Sequence, residues 1–145
     1  MDNKKKYKIG YTQGVFDMFH VGHLNLINRA KEQCDYLIVG VNSDELVKTY
    51  KHKETVINEK DRKEIISNLK AVDECLIVGT LDKLAIHQQI HFDAIFIGND
   101  WFGNPRWMKT VSELAKIGID VVFLPHTEGV SSTILKTKFL NQIGD

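Results

Sequence analysis

Little in this chain draws it towards any one kind of partner. Its nineteen basic and nineteen acidic side chains cancel to a formal net charge of zero. No overall field therefore gathers nucleic acid or an anionic membrane, and any anion site has to be built locally. The one basic run, "KKKYK" near the N-terminus, reads as a solvated tail. Cysteine is scarce as well: Cys34 and Cys75 stand far apart among apolar neighbours, with neither metal-ligand nor disulfide-framework spacing. They are expected as buried free thiols. No apolar run approaches the ~20 residues of a membrane-spanning helix, and residues 1–8 are polar with no apolar run after them. That pattern lacks a secretory leader, so a cytoplasmic protein without membrane insertion is expected. Both common phosphate-loop patterns, GxGxxG and GxxxxGK(S/T), are missing, and no nucleophilic triad is recognisable. With no repeat, low-complexity tract or Pro/Gly linker, residues 1–145 are expected to form one domain that buries roughly two thirds of its unfolded surface.

What is present is an alternation. Short apolar runs, "YKIGYT" (7–12), "YLIVGVN" (36–42), "ECLIVG" (74–79), "DAIFIG" (93–98) and "IDVVFLP" (119–125), read as strands. Between them lie stretches with helical spacing at 20–33, 59–72, 81–90 and 105–118, and a last one at 131–143. Pro105 opens one of these and Gly118 closes it, while serine caps the last. Residues 44–58 read as one long irregular stretch. Strand and helix in strict alternation predict a Rossmann-like, doubly wound α/β sheet of about five parallel strands with helices on both faces. Such sheets bind ligands beyond the carboxyl ends of their strands, so the informative residues are those that follow each strand.

The first of these segments is "GVFDMFHVGHLNLINRAK", 14–31. Gly14 lets backbone approach a ligand, and Gly22 does the same for the first helical turn. Free N–H groups and the positive end of the helix dipole make such a turn an anion site. His20 and His23 can aim donors at the same phosphate oxygens, and one well-aimed donor to developing charge is worth ~3–4 kcal/mol. A lone histidine at a helix start is a cap or a surface group; a pair around a glycine at the end of the first strand favours a phosphate site. A second such terminus is expected in "HTEGVSSTILK", 126–136, where Ser131, Ser132 and Thr133 bring hydroxyls and N–H groups to a helix start. "GNDWFGNPRW", 98–107, reads first as a turn, with Trp101 and Trp107 packed beneath it. The lysines of "YKHKE", 50–54, could close over phosphates as mobile point charges.

"GVFDMFHVGH" resembles the H-x-G-H signature of the nucleotidyltransferase superfamily, which includes cytidylyltransferases, pantetheine-phosphate adenylyltransferases and FAD synthetases. The likeness runs from Ile9 to Lys136, and "GNDW" resembles the "GDDW" block of the glycerol-3-phosphate cytidylyltransferase group. The resemblance implies catalytic roles for His20, His23 and Lys51. It implies nucleotide contacts from Gly14, Val15, Phe16, Asp17 and Gly22 in the first motif, and from Gly98 and Asp100 in the third. His126, Thr127, Gly129, Ser131, Ser132 and Thr133 would grip the triphosphate. Lys53, Arg62 and Lys70 would face the acceptor, Lys70 standing where the group commonly has arginine. Three departures stand out: His126 replaces the arginine of "RTEG", Val15 the threonine of "GTFD", and Asn99 the first carboxylate of "GDDW".

The expected reaction is direct attack of an acceptor phosphate on the α-phosphate of a nucleoside triphosphate, releasing pyrophosphate. The resemblance implies CTP and glycerol 3-phosphate as substrates, a homodimer, and Mg²⁺ carried on the β,γ-phosphates. Phosphocholine, phosphoethanolamine or another polyol or sugar phosphate stays open as acceptor. So do adenylyl transfer as in FAD synthesis, and a non-catalytic nucleotide-binding module. Nucleic acid is not an expected partner.

Overall fold

Each apolar run becomes a strand of one parallel sheet. The computed structural model describes residues 5–125 and 132–143. Strands β1 (Tyr7–Gly14), β2 (Cys34–Asn42), β3 (Glu74–Val78), β4 (Ala94–Gly98) and β5 (Asp120–Leu124) pair in the order β3-β2-β1-β4-β5. All four neighbouring pairs are parallel. Six α-helices among the described residues accompany them: α1 (Val21–Glu32), α2 (Asp44–Lys51), α3 (Glu59–Ser67), α4 (Lys83–Ile90), α5 (Pro105–Ala115) and α6 (Ser132–Ile143). The doubly wound architecture expected from the alternation is the one observed.

Strand side chains alternate between two cores, as the period of two requires. Leu37, Val39 and Val41 of β2 pack with Ile27 and Ala30 of α1 and Ile66 of α3. Ile38, between them, joins Tyr11, Ile86 of α4, and Trp107 and Leu114 of α5 on the opposite face. A parallel sheet buried on both faces has to be apolar along nearly its whole length, which is why these strands were legible. Gly40 interrupts the apolar run of β2 for a reason: a Cβ there would collide with the Tyr11 hydroxyl. Cys34 and Cys75 are buried and unpaired, as expected.

This strand order puts β1 at the centre, with β2 on one side and β4 on the other. The winding reverses between β1 and β4, so their carboxyl ends, Gly14 and Gly98, open the crevice where such folds bind ligands.

One expectation fails clearly. The stretch 44–58 is not irregular throughout, because its first part is helix α2. Ser43 caps it by accepting the Leu46 N–H, Asp44 and Glu45 fill the first turn, and Lys48 and Lys51 the last. Only Val47 of this helix is buried, so no apolar stripe announced it. Two helices also end well before expected: α3 stops at Ser67 rather than 72, and α5 at Ala115 rather than 118. Leu69, Ala71 and Val72 still pack on the core, but from a turn. No described helix is long and apolar enough to cross a membrane.

Candidate active site

The two histidines sit at the start of α1, directly above the carboxyl end of β1. His20 is the N-cap, and its Nδ1 accepts the Gly22 N–H at 3.0 Å. His23 reaches back so that its Nδ1 accepts the His20 N–H at 3.3 Å. The rings stack with centroids 3.8 Å apart. An Nδ1 that accepts carries no proton, so in both neutral imidazoles the hydrogen resides on Nε2. The Gly22 N–H is thus taken by His20, and the donor left at the turn is imidazole Nε2–H. His20 Nε2 is buried and has no hydrogen-bond partner among the described residues.

Both rings are held neutral. Burial lowers the pKa of His20. Burial first, and then the neighbouring His20, push that of His23 down to about 4, against the opposing pull of Asp17. The burial has a visible source: Phe16 meets the His23 ring edge-on at 5.4 Å, and Phe19 lies 5.5 Å away. Phe16 itself adopts the left-handed conformation, φ 54°, which is strained for an aromatic residue. Gly14 makes room for it, since a Cβ there would stand 3.2 Å from the Phe16 ring. Gly14 therefore serves the packing of the turn.

Two residues expected at the substrates brace this turn. Asp17 is buried, and its carboxylate accepts the N–H groups of Val56 and Ile57 at 2.8 and 2.9 Å. Arg62 was expected near the acceptor, but its side chain is wholly buried. Its Nε donates to the Ile57 carbonyl, and Nη1 to the carbonyls of Val15 and Asn42, each at 2.8 Å. Nη2 pairs with Asp44. One guanidinium thereby ties the loop after β1 to the end of β2, the start of α2 and the segment before α3. Its fork of fixed donors suits this better than a lysine would.

Lys70 also departs from expectation. It stands in the turn after α3 that leads to the amino end of β3, the sheet edge opposite to His20 and His23. Lys51 and Lys53 are exposed at and just beyond the end of α2, on the carboxyl side of β2. Gly98 ends β4, and a Cβ on it would lie 2.6 Å from a carboxylate oxygen of Asp100, which folds back over the strand end from the 3-10 turn Asn99–Trp101. His126, Thr127, Gly129 and Ser131 lie outside the described residues, while Ser132 and Thr133 open α6. Arg29 of α1 donates to the Pro125 carbonyl at 2.7 Å, which ties the chain just before 126 to the histidine-bearing helix.

Sequence reasoning missed a polar chain at this edge. Gln13 Nε2 donates to Asn42 Oδ1 at 2.8 Å and to the Thr80 carbonyl at 3.0 Å, and Asn42 Nδ2 donates to the Tyr50 hydroxyl at 3.0 Å. Gln13 and Asn42 are polar residues ending apolar strands, a signal that was there to be read. Lys83, the first residue of α4, is buried, with Nζ 2.9 Å from the Leu81 carbonyl. Burial, then the Arg106 guanidinium, push its pKa down to about 8, against Asp82. No spacing rule singles out a buried lysine.

A helix start bearing two neutral imidazoles, in the crevice of a doubly wound sheet, is suited to holding the phosphates of a nucleotide during group transfer. Such a site fits the nucleotidyltransferase class. Residues 11–138 match the model of the cytidylyltransferase-like family, and the chain belongs to that family. It is similar to a glycerol-3-phosphate cytidylyltransferase of Bacillus spizizenii, 36% identical over 86% of this chain and 92% of that protein. It is also similar to an FAD synthase of Thermococcus kodakarensis, 38% identical over 87% of this chain and 85% of that one. Among solved structures, a lipopolysaccharide core biosynthesis protein of Thermoplasma volcanium shares the fold with a TM-score of 0.69, at 26% identity over 83% of this chain and 97% of that one. The chain is accordingly an enzyme of the nucleotidyltransferase type.

Proposed function

We propose that the enzyme transfers the cytidylyl group of CTP to glycerol 3-phosphate. An acceptor phosphate oxygen attacks the α-phosphorus, the bond to the bridging oxygen breaks, and pyrophosphate leaves with that electron pair. CDP-glycerol is the other product. The observation that carries the reading is the buried Nε2–H of His20, a donor with no acceptor among the described residues. Leaving such a donor unsatisfied costs ~1–3 kcal/mol, and a phosphate oxygen of the bound nucleotide supplies what it lacks.

In this reading His20 and His23 donate from Nε2 to the α-phosphate and bridging oxygens as negative charge builds there. Lys51 and the helix start at Ser131, Ser132 and Thr133 neutralise and hold the triphosphate, with Lys53 near the entering phosphates. Lys83, with donors left over from its single carbonyl bond, takes the acceptor phosphate. Mg²⁺ would travel with CTP, because no three metal-ligating side chains gather among the described residues. A homodimer belongs to the same reading.

The glycerol-3-phosphate cytidylyltransferase of Bacillus spizizenii supports CTP and this acceptor. The FAD synthase of Thermococcus kodakarensis favours a second reading, adenylyl transfer from ATP to FMN. Pyrophosphate release separates them when CTP, ATP, UTP and GTP are each paired with glycerol 3-phosphate, phosphocholine, phosphoethanolamine and FMN. Release with CTP and glycerol 3-phosphate is expected. Release confined to ATP and FMN would establish the second reading, and no release from any pair would contradict both.

A further inference from the structure

Tyr11, Gln13, Asn42 and Tyr50 form one hydrogen-bonded row at the carboxyl edge, and a single backbone atom fixes its direction. The Thr80 carbonyl can only accept, and it lies 3.0 Å from the side-chain amide of Gln13. The amide atom facing it is therefore the nitrogen, Nε2. The second hydrogen of that nitrogen goes to Asn42 at 2.8 Å, so Asn42 meets it with Oδ1. Gln13 Oε1 is left to accept from the Tyr11 hydroxyl at 2.8 Å. Asn42 then presents Nδ2 to Tyr50, whose oxygen accepts at 3.0 Å. Every bond runs the same way, from Tyr11 through Gln13 and Asn42 to Tyr50.

Burial makes this order hard to reverse. Tyr11 and Asn42 are both buried, and turning either amide over would set donor against donor where water cannot compensate. Bonds donated in series also polarise one another, which strengthens the donor at the far end. That donor is the Tyr50 O–H, and it has no acceptor among the described residues. Burial raises the pKa of Tyr50, so its hydroxyl keeps the proton near neutral pH.

The neighbouring residue indicates what this O–H meets. Lys51 follows Tyr50 at the end of α2, with its ammonium 5.8 Å from the centre of the Tyr50 ring. A cation beside a hydroxyl donor suits an anionic oxygen. Resting on the reading that Lys51 holds the triphosphate, we propose that Tyr50 is a further nucleotide-binding residue, its O–H donating to an oxygen of the same phosphate chain. Tyr11, Gln13 and Asn42 are positioning residues, which act by keeping that O–H turned outward. The contact is with phosphate, so it does not depend on the base.

The test follows pyrophosphate release against CTP concentration at saturating glycerol 3-phosphate, in the wild type, Tyr50→Phe, Asn42→Asp and the double variant. Tyr50→Phe keeps the ring beside Lys51 and removes the hydroxyl alone. It should raise the KM for CTP about tenfold, and the inhibition constant of tripolyphosphate by the same factor, with that of cytidine unmoved. Asn42→Asp places a carboxylate against Tyr50, which draws the O–H inward. In that background Tyr50→Phe should change the KM by less than about twofold, because the donor is already withdrawn. Three results would overturn the inference while leaving cytidylyl transfer intact. They are a wild-type KM in Tyr50→Phe, effects of the two substitutions that simply multiply, or a cytidine constant that rises with that of tripolyphosphate. Absence of pyrophosphate release from every CTP pair in the wild type would overturn the underlying reading and this inference with it.

Discussion

An imidazole can serve a phosphate as a cation or as a neutral donor, and the surroundings of His23 select the second. Phe16 and Phe19 exclude water from it, and the stacked His20 would repel a second charge. The consequence for stability has a definite sign. With a folded pKa of about 4 against an ordinary 6.5, His23 takes up its proton in the unfolded chain first as pH falls. The unfolded state therefore binds more protons between about 6.5 and 4, and stability drops across that window. Urea denaturation at pH 7 and pH 4.5 should show the wild type losing more stability than His23→Gln; parallel losses would count against a buried neutral His23. Arg62 makes a second prediction at this scale. Arg62→Ala strips partners from three carbonyls and from Asp44, so a loss of ~3–5 kcal/mol is expected. Arg62→Lys should recover little, and equilibrium unfolding of the two variants checks both statements. These residues also mark where sequence reading runs out. The histidines were legible because a turn between strand and helix leaves their spacing few interpretations. The backbone bonds of Asp17 and Arg62 were not legible, because residue type does not reveal whether a charge points to substrate or backbone.

Among the elements, α2 repays comparison with its sequence. "SDELVKTYK" holds a serine cap, acids in the first turn and lysines in the last, which is a helix written in its ends. With Val47 alone buried, it lacks the apolar periodicity on which helices are usually recognised. The five strands and the helices α1, α4 and α5 were found because burial on the sheet leaves that periodicity in them. Lys70 shows the converse limit: the resemblance marked its place in the sequence, but α3 carries the chain away from the histidines to the amino end of β3. In the proposed reaction Lys51 of α2 holds the triphosphate, so the cap of this helix bears on activity. Ser43→Ala should cost ~1 kcal/mol, and should raise the substrate KM values more than it lowers kcat. Chemical denaturation and steady-state kinetics read the two effects separately, and an unchanged unfolding midpoint would mean that the cap contributes nothing.

At the scale of the molecule, the alternation of strand and helix was enough to predict a doubly wound sheet, but not its order. That order depends on which side of the sheet each crossover takes, and no residue encodes it alone. Its functional effect is to set β1 and β4 side by side, so that the imidazole turn and the Gly98–Asp100 turn face one crevice. The polar chain from Gln13 through Asn42 to Tyr50 flanks the turn on the β2 side. In the proposed reaction nucleotide and acceptor are thus held along a single edge of the sheet. The imidazoles at the middle of that edge join the two. The most direct measurement is single-turnover pyrophosphate release by His20→Ala with saturating CTP and glycerol 3-phosphate. Loss of an Nε2–H aimed at developing charge predicts a rate lower by about 10²–10³, while loss of the cap on the Gly22 N–H should lower stability by only ~1 kcal/mol. Release at close to the wild-type rate would contradict a catalytic role for His20.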